Sequence, residues 1–286
     1  MVQVFTLNNG TIIPSIGIGC FVGKFGANEE ACEMVQTALK LGYRHFDTAA
    51  LYGTEEGVGK GIRSSDVPRE EIYVVTKLQE SHHGRVREAF DESLGRLGVG
   101  YIDLYLMHWP QGEDLTTGKV KSIGVSNFSV KNLKILLAEA TIVPAVNQIE
   151  VHPLYPQFAE QEYCKSKGIV ITAYSPFALG QKDLIEHATL KEIGSRTGHS
   201  PTQVIMGWLL KKGIAAIPKS AIYDRMFKNI EYADISSEDM VKIDAIHKTP
   251  GMHRMSWGHL CVDGKVNGWT YEQLGWNLVD GGRVKD

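Results

Sequence analysis

The chain has 286 residues, 43% hydrophobic and 22% charged, and a formal net charge of −3. That length allows one large core or two modest ones. The slightly negative charge and the absence of a long basic run exclude an extended nucleic-acid surface. Because no apolar stretch approaches the ~20 residues that a membrane span needs, we expect no membrane partner either.

The four cysteines are widely spread and show neither a Cys-x-x-Cys motif nor the spacing of metal ligands. This usage fits a reducing compartment better than a disulfide framework. The N-terminal residues lack the basic region and apolar core of a secretory signal. We therefore expect a cytoplasmic, globular protein without a metal site.

The first predicted element is a β-hairpin, because apolar residues 4–7 and 11–13 flank Asn8-Asn9-Gly10. A short strand at 16–21 follows. A helix is then predicted over 28–41, with Asn28 as its N-cap and Gly42 as its stop. Further helices are predicted near 54–62, 85–97, 224–232 and 237–246.

Seven more apolar runs read as buried strands, because they are mostly apolar on both faces. No linker rich in Pro, Gly or Ser divides the chain, so we expect a single domain over 1–286. Strands alternating with helices indicate a parallel sheet, and eight strands at this length favour a closed (β/α)8 barrel with the hairpin as plug. Residues 249–286 form a long, irregular C-terminal tail. The seven runs lie near 45–48, 72–76, 102–107, 122–125, 146–150, 169–173 and 215–218.

The interval 111–121 does not fit this alternation, because a parallel crossover takes a dozen or more residues. Two explanations stay open. Either the protein has lost its fourth helix, or a segment after Pro110 is missing from the sequence. An absent helix would expose the apolar outer face of neighbouring strands, which favours the second explanation.

Four side chains that can donate or accept protons lie near the ends of predicted strands: Asp47, Tyr52, Lys77 and His108. In a barrel, such strand ends gather at one face and carry the chemistry. Taken singly, Asp47 could cap a helix, Tyr52 could be a half-buried aromatic residue, and His108 could be a core histidine. Lys77 is harder to explain structurally, because a lysine closing a buried strand is costly unless it is paired or used.

Seven phrases in order resemble the aldo-keto reductase family. The resemblance covers nearly the whole chain except the short interval and the tail, and it is closest to the aldose, xylose and glycerol-type carbonyl reductases. Each phrase lies at a strand end, which makes the set far more specific than any one phrase. The phrases are Gly-Tyr-Arg-His-Phe-Asp-Thr-Ala (42–49), Thr-Lys-Leu (76–78), Met-His-Trp-Pro (107–110), Ile-Gly-Val-Ser-Asn-Phe (123–128), Asn-Gln-Ile-Glu-Val-His-Pro (147–153), Ala-Tyr-Ser-Pro (173–176) and Ile-Pro-Lys-Ser (217–220).

This resemblance implies a carbonyl reductase in which Tyr52 protonates the carbonyl oxygen as hydride arrives. A free phenol has a pKa of ~10, so it needs a nearby cation, which Lys77 would supply. Asp47 would compensate the buried charge of Lys77. His108 would orient the substrate carbonyl.

The resemblance also implies an NADP(H) site. Ser126, Asn127 and Gln148 match the positions that bind the nicotinamide carboxamide, and Tyr174 matches the aromatic residue that stacks on the ring. Cations and a hydroxyl near the last strand match the 2′-phosphate site, so we expect NADPH over NADH. The further cofactor residues are Ser175, Lys219, Ser220, Arg225 and Asn229.

Several positions depart from the family pattern. Ile222 replaces a hydroxyl residue near the phosphate, and Lys228 replaces a Glu that reaches the adenine, so use of both nucleotides stays open. In the substrate pocket, Phe21 and Gln79 stand where Trp is frequent, whereas Trp109 is retained.

Two alternatives from other classes remain. A Schiff-base aldolase or lyase would use Lys77 as its nucleophile, but it gives no role to the cations Lys219 and Arg225. A catalytically idle cofactor-binding module would be free to lose the four proton-handling residues, yet all four are present. For the reductase we expect a monomer or weak dimer that acts on a small-molecule carbonyl substrate.

Overall fold

The computed structural model describes residues 3–110, 120–249, 251–256, 261–262, 264–279 and 281–285. The chain opens with an antiparallel hairpin of β1 (Val4–Thr6) and β2 (Ile12–Pro14), in which Phe5 pairs with Ile13. The predicted hairpin is therefore present.

Eight parallel strands form one sheet in sequential order, as the alternation predicted. An isolated parallel bridge from Ile16 to Ala216 joins its first and last strands, and Gly17 N donates to Ala216 O at 2.9 Å. The sheet thus closes into the predicted (β/α)8 barrel. Its strands are β3 (Ile18–Gly19), β4 (His45–Asp47), β5 (Tyr73–Leu78), β6 (Ile102–Met107), β7 (Val120–Ser126), β8 (Val146–Glu150), β9 (Val170–Tyr174) and β10 (Ala215–Ala216).

Helices surround this barrel. The prediction that Asn28 caps the first helix is wrong by one residue, because Ala27 occupies the N-cap position and the helix begins at Asn28. The Asn28 side chain instead accepts a hydrogen bond from Gly57 N at 2.7 Å. The helices are α1 (Asn28–Lys40), α2 (Glu55–Arg63), α3 (Val86–Leu97), α4 (Val130–Glu139), α5 (Phe158–Ser166), α6 (Lys182–Ile185), α7 (Ala188–Thr197), α8 (Pro201–Lys211), α9 (Tyr223–Ile230) and α10 (Ser237–Asp244).

The glycines of α2 allow it to pack between two neighbours. A Cβ on Gly57 would lie 2.1 Å from Asn28 O of α1, and one on Gly59 would lie 1.9 Å from Leu97 O of α3. These contacts are with backbone atoms, which cannot move away easily. The Gly57-Val58-Gly59-Lys60 sequence therefore serves helix packing.

The hairpin closes one end of the barrel. Its buried residues Leu7 and Ile13 pack with Val75, Leu104 and Leu106 of the strands. The chemistry-bearing strand ends lie at the opposite end, because the strands are parallel and the hairpin packs where they begin.

The tail is more ordered than the sequence predicted. Its described residues contain a small antiparallel sheet, β11 (Cys261–Val262), β12 (Lys265–Val266) and β13 (Trp269–Thr270), followed by α11 (Tyr271–Leu274). Each of these strands has only two residues, which is too few for a periodic sequence pattern to be detected. A hydrophobic cluster holds them to the barrel residues Trp109 and Tyr155; its tail members are Val266, Leu274, Trp276 and Leu278.

The interval 111–121 did not fit the predicted alternation of strands and helices. Residues 111–119 of this interval lie outside the described residues. Strand β7 begins at Val120 and pairs with β6 in parallel, with Ile102 opposite Val120. Neither explanation of the short interval is tested by this pairing. Within the described ranges, no helix has the length and apolarity to cross a membrane.

Candidate active site

Asp47, Lys77 and His108 lie at or just beyond the ends of three adjacent strands, and Tyr52 ends a short 3₁₀ helix after β4. The parallel register sets β4, β5 and β6 side by side, so these residues converge. The four side chains predicted to handle protons are therefore brought together.

A buried ion pair forms the centre of this group. Lys77 Nζ donates to Asp47 Oδ1 at 2.5 Å and to Thr48 O at 2.8 Å, and both charged side chains are buried. Burial lowers the pKa of Lys77, but the charge of Asp47, its hydrogen bond to Lys77 and the interaction with Tyr52 together outweigh burial and leave that pKa raised. Lys77 is thus a fixed cation at neutral pH.

Tyr52 lies directly above this cation. Lys77 Nζ is 5.2 Å from the centre of the Tyr52 ring. Burial raises the pKa of Tyr52, and Lys77 opposes that rise without cancelling it. The phenol therefore stays protonated at neutral pH, as a proton donor must be. Lys77 therefore lowers the pKa of Tyr52 relative to an equally buried phenol without a cation. The pKa of Tyr52 nevertheless stays above that of a free phenol.

The His108 ring faces Tyr52 edge-on, with 5.8 Å between ring centres. Burial, with Lys77 adding to it, lowers the pKa of His108 well below its ordinary value. The imidazole is consequently neutral and has one N–H donor. In the described part of the chain, its buried Nδ1 has no hydrogen-bond partner.

The three residues predicted to bind a carboxamide form one buried group where the end of β7 pairs with the middle of β8. Ser126 Oγ donates to Gln148 O at 2.8 Å, and Asn127 Nδ2 donates to His108 O at 3.1 Å. Gln148 Nε2 donates to Asp47 Oδ2 at 2.7 Å, which joins this group to the ion pair. That bond turns the acceptor Oε1 of Gln148 away from Asp47.

Tyr174 ends β9 and is half-buried, with its hydroxyl donating to Asn127 Oδ1 at 2.7 Å. Burial raises the pKa of Tyr174 to about 12, although Arg254 opposes this. Asn127 has a φ value of 64°, and Ser175, which follows Tyr174, has a φ value of 46°. Such left-handed backbone is uncommon outside glycine and concentrates at functional sites.

The predicted phosphate site follows β10. Lys219 and Arg225 are exposed, and neither forms an ion pair with any described residue. Ser220 is buried, and its Oγ accepts from Ile222 N at 3.1 Å. Asn229 is buried on the same helix as Arg225. The segment after β10 and the first turn of α9 thus supply two exposed cations and a hydroxyl.

Two of the three predicted pocket residues lie beside Tyr52 and His108. The Phe21 ring is 5.2 Å from that of Tyr52, and the Trp109 ring is 6.4 Å from that of His108. Gln79 follows directly after β5 and is half-buried. Trp109 also lies 6.0 Å from Trp276 of the tail, so the tail forms part of this wall.

Sequence reasoning missed two charged residues beside this site. Arg254 of the tail is 1% exposed, and its Nη2 donates to Asn127 Oδ1 at 3.0 Å and to Tyr174 Oη at 2.6 Å. Glu150, at the end of β8, is fully buried and accepts from Met255 N at 2.7 Å. One available signal was the carboxylate itself, because an acidic residue in an apolar strand needs a partner.

The donor set fits NADP(H). A carboxamide offers one acceptor and two donors, which Asn127, Gln148 and Ser126 can complement. A 2′-phosphate needs cations and a hydroxyl, which Lys219, Arg225 and Ser220 provide. In contrast, no group of three His, Cys, Asp or Glu residues within the described ranges could hold a metal ion.

Fold and site together are those of a barrel oxidoreductase that uses a nicotinamide dinucleotide. A profile of the Aldo/keto reductase family matches residues 15–248, so the chain belongs to the aldo-keto reductase family.

Relatives of assigned activity are similar over most of this chain. A glycerol 2-dehydrogenase (NADP+) of Saccharomyces cerevisiae is 40% identical over 294 aligned positions, covering 88% of this chain and 93% of that protein. A glyoxal reductase of Bacillus subtilis is 43% identical, covering 85% and 92% respectively. A Bombyx mori aldo-keto reductase solved with NADP has a TM-score of 0.82 at 31% identity, covering 96% of this chain and 99% of that one.

These findings confirm the predicted family, the barrel fold, the oxidoreductase class and the NADP(H) cofactor. They do not favour the aldolase or the idle module. The alignment to the yeast enzyme has more positions than this chain has residues. That relative therefore carries residues with no counterpart here.

Proposed function

We propose that this protein reduces a small aldehyde or ketone to the alcohol with NADPH, and that Tyr52 donates the proton. The observation that carries the proposal is the buried Lys77–Asp47 pair beneath Tyr52, with neutral His108 across from the phenol. A buried pair costs desolvation energy that a hydrophobic pair would avoid, so its presence at the mouth of the barrel supports a chemical role.

The proton step follows from the charges. NADPH, when bound, supplies the hydride. As the carbonyl oxygen gains negative charge, Tyr52 transfers its phenolic proton to it. The phenolate left behind is stabilised by the fixed cation Lys77, which Asp47 holds in place. In the reverse direction the same cation favours the phenolate that accepts a proton from the alcohol.

His108 has a separate role in this proposal. As a neutral imidazole it can donate one hydrogen bond to the carbonyl oxygen without competing with Tyr52 as an acid. The edge-on arrangement of the two rings allows both groups to reach one oxygen atom. The carbonyl would thereby be held for attack from the nicotinamide side.

The pocket supports a small or flat substrate. Phe21 and Trp109 provide aromatic surface, whereas Gln79 adds a polar group. The named activities of the relatives concern glycerol and glyoxal. We therefore propose short hydroxyaldehydes, dicarbonyls and aromatic aldehydes as the substrate class.

The test is a turnover assay with purified protein. NADPH and NADH are first titrated by tryptophan fluorescence, and absorbance loss at the nicotinamide band is then followed with glyceraldehyde, methylglyoxal, xylose and benzaldehyde. Turnover with NADPH on at least one carbonyl supports the proposal. NADPH binding without turnover on a broad carbonyl panel contradicts it, as does borohydride trapping of a carbonyl compound on Lys77.

We also propose that residues 1–286 act as one domain, as a monomer or weak dimer in the cytoplasm. The small barrel-forming strands are continuous from β3 to β10, and the tail packs on the same barrel. Light scattering after size exclusion would check this. A single species near the 31.7 kDa chain mass supports a monomer, and a stable tetramer would contradict it.

A further inference from the structure

Arg254 is a fully buried cation to which the proposed chemistry assigns no role. It belongs to the tail, yet its guanidinium lies against the end of the barrel between β7, β8 and β9. Its Nε is 3.5 Å from Glu150 Oε2, an ion-pair contact rather than a hydrogen bond. Burying such a group is costly, so each of its contacts deserves a physical account.

The contact with Asn127 decides how that amide is oriented. An amide presents oxygen on one side and NH2 on the other. Arg254 has only donors, and Tyr174 Oη also donates to the same atom, so Asn127 Oδ1 must face them. Asn127 Nδ2 is consequently directed toward His108 O and Ser126 Oγ, at 3.1 and 3.3 Å.

Gln148 is oriented in the opposite sense by Asp47. Its Nε2 donates to the Asp47 carboxylate, which leaves Oε1 as the group it can offer. The two amides are thus held in opposite senses: the Asn127 NH2 is bound to His108 O and Ser126 Oγ, whereas Gln148 Oε1 stays open within the described part of the chain. That open oxygen can accept a hydrogen bond from the NH2 of a primary carboxamide.

Arg254 also connects the tail to the ring-stacking residue. Its Nη2 donates to Tyr174 Oη, and its guanidinium carbon lies 3.7 Å from the centre of the Trp276 ring. Trp276 in turn packs against Trp109 of the proposed substrate pocket. One side chain therefore contacts the proposed nicotinamide platform and the tail wall of the pocket.

Glu150 anchors this part of the tail. It accepts from Met255 N, from Ser256 N and Oγ, and from His152 Nε2. With the ion pair to Arg254, these contacts fix residues 254–256 against the end of β8. The guanidinium is thereby held by barrel residues, and the tail adds the Trp276 ring and a bond from Arg254 N to Gly282 O at 2.8 Å.

We propose that Arg254 is a positioning residue for the nicotinamide end of the cofactor site, acting through the Asn127 amide and the Tyr174 hydroxyl. The proposal rests on the proposed function, because it assumes that these residues bind NADP(H). It predicts that Arg254 affects recognition of the nicotinamide half of the cofactor and leaves the adenine half unaffected.

The experiment compares two ligands on Arg254→Lys. The ligands are NADPH and 2′,5′-ADP, which lacks the nicotinamide half. Lysine keeps the charge beside Glu150 but lacks the planar fork that bridges two acceptors and stacks on Trp276. We expect NADPH affinity to fall about tenfold, as for loss of a charged hydrogen bond, whereas 2′,5′-ADP affinity should stay unchanged.

Two further variants make the test specific. Lys131→Met removes a different tail contact, the bond from Lys131 Nζ to Glu272 O, and should leave both affinities unchanged. If Arg254→Lys does not fold, the double variant Arg254→Met/Glu150→Gln removes both buried charges and should show the same selective loss for NADPH. Equal losses for both ligands, or none, would overturn the positioning role.

A double-mutant cycle tests whether Arg254 acts through Asn127. After Asn127→Ala, the change Arg254→Lys should cost NADPH affinity much less than in the wild type, because its main target is gone. Full additivity would overturn the proposal. If wild-type protein binds 2′,5′-ADP but not NADPH, the proposed function itself fails, which is distinguishable from a failure confined to the Arg254 variants.

Discussion

At the scale of single residues, the site depends on charges that are buried in compensated pairs. Lys77 and Asp47 neutralise each other, and Gln148 occupies the second oxygen of Asp47. Removing one partner would leave the other charged and buried, which is far more costly than losing an exposed pair.

We therefore expect Asp47→Asn to destabilise the protein by about 3–5 kcal/mol and to lower turnover strongly. The free energy of unfolding, from urea titration, provides the measurement. Glu92→Gln is the matched control, because it breaks an exposed pair with Arg85 at 2.6 Å and should change neither quantity measurably. Equal stability of Asp47→Asn and wild type would contradict this account of the pair.

The cations after β10 give a second prediction at this scale. Lys219→Met should weaken NADPH binding about tenfold or more and leave NADH binding nearly unchanged, because only NADPH carries the 2′-phosphate. Fluorescence titration with both nucleotides measures the ratio of affinities. Lys228→Met serves as a comparison, since Lys228 departs from the family pattern; if it changes the ratio more than Lys219→Met, the phosphate site has been misplaced.

Sequence alone predicted the residues whose chemistry coincides with a strand end. Asp47, Lys77 and His108 each follow an apolar run, so the barrel topology placed them together. Arg254 lies in a segment without periodicity, where nothing distinguishes a buried arginine from an exposed one. Its role depends on a long-range contact with Asn127, which local patterns do not encode.

At the scale of elements, the tail is a small folded unit built on the pocket wall. Leu274 and Val266 are fully buried in the cluster that includes Trp109. The sequence indicated an irregular tail because its strands have only two residues each, too short for alternation to be detected.

We expect Leu274→Ala to loosen this unit more than it destabilises the barrel. The cavity would cost about 2–5 kcal/mol, and we expect this cost to loosen the packing of the small tail cluster. Hydrogen exchange should accelerate in residues 264–279 and stay slow in the strands, with a raised KM for the carbonyl substrate. Val279→Ala, at a 41% exposed position, is the control and should alter neither. Uniform acceleration across the barrel would contradict the view of the tail as a separate unit.

At the scale of the whole molecule, the barrel and tail share one acid-sensitive contact at Glu150. Burial alone would raise the pKa of Glu150, but bonds from His152 and Ser256 and the charge of Arg254 hold that pKa at about 2. Because the folded pKa is lower than the unfolded one, the stabilisation is complete above the unfolded pKa of about 4.5 and is lost as pH falls toward 2.

The difference between the folded and unfolded pKa of Glu150 corresponds to roughly 3 kcal/mol of stability, which is lost as the pH falls from about 4.5 toward 2. We expect urea midpoints of the wild type to fall steeply between pH 4.5 and 2.5. The double variant Arg254→Met/Glu150→Gln should have a shallower slope, because the titrating group is absent. Parallel slopes would show that Glu150 is not the group responsible.

The eight-strand alternation made the barrel predictable across its whole circumference, apart from the interval 111–121. That interval stays an open prediction, because residues 111–119 lie outside the described part of the chain.

The central claim is that Tyr52 supplies the proton for NADPH-dependent carbonyl reduction, and Tyr52→Phe tests it most directly. Fluorescence titration should give an NADPH affinity close to that of the wild type, because Tyr52 has no place in the proposed cofactor contacts. Turnover on the best carbonyl substrate should fall by a factor of about 10²–10⁴, the usual contribution of a positioned acid. Unchanged turnover with intact NADPH binding would contradict the account.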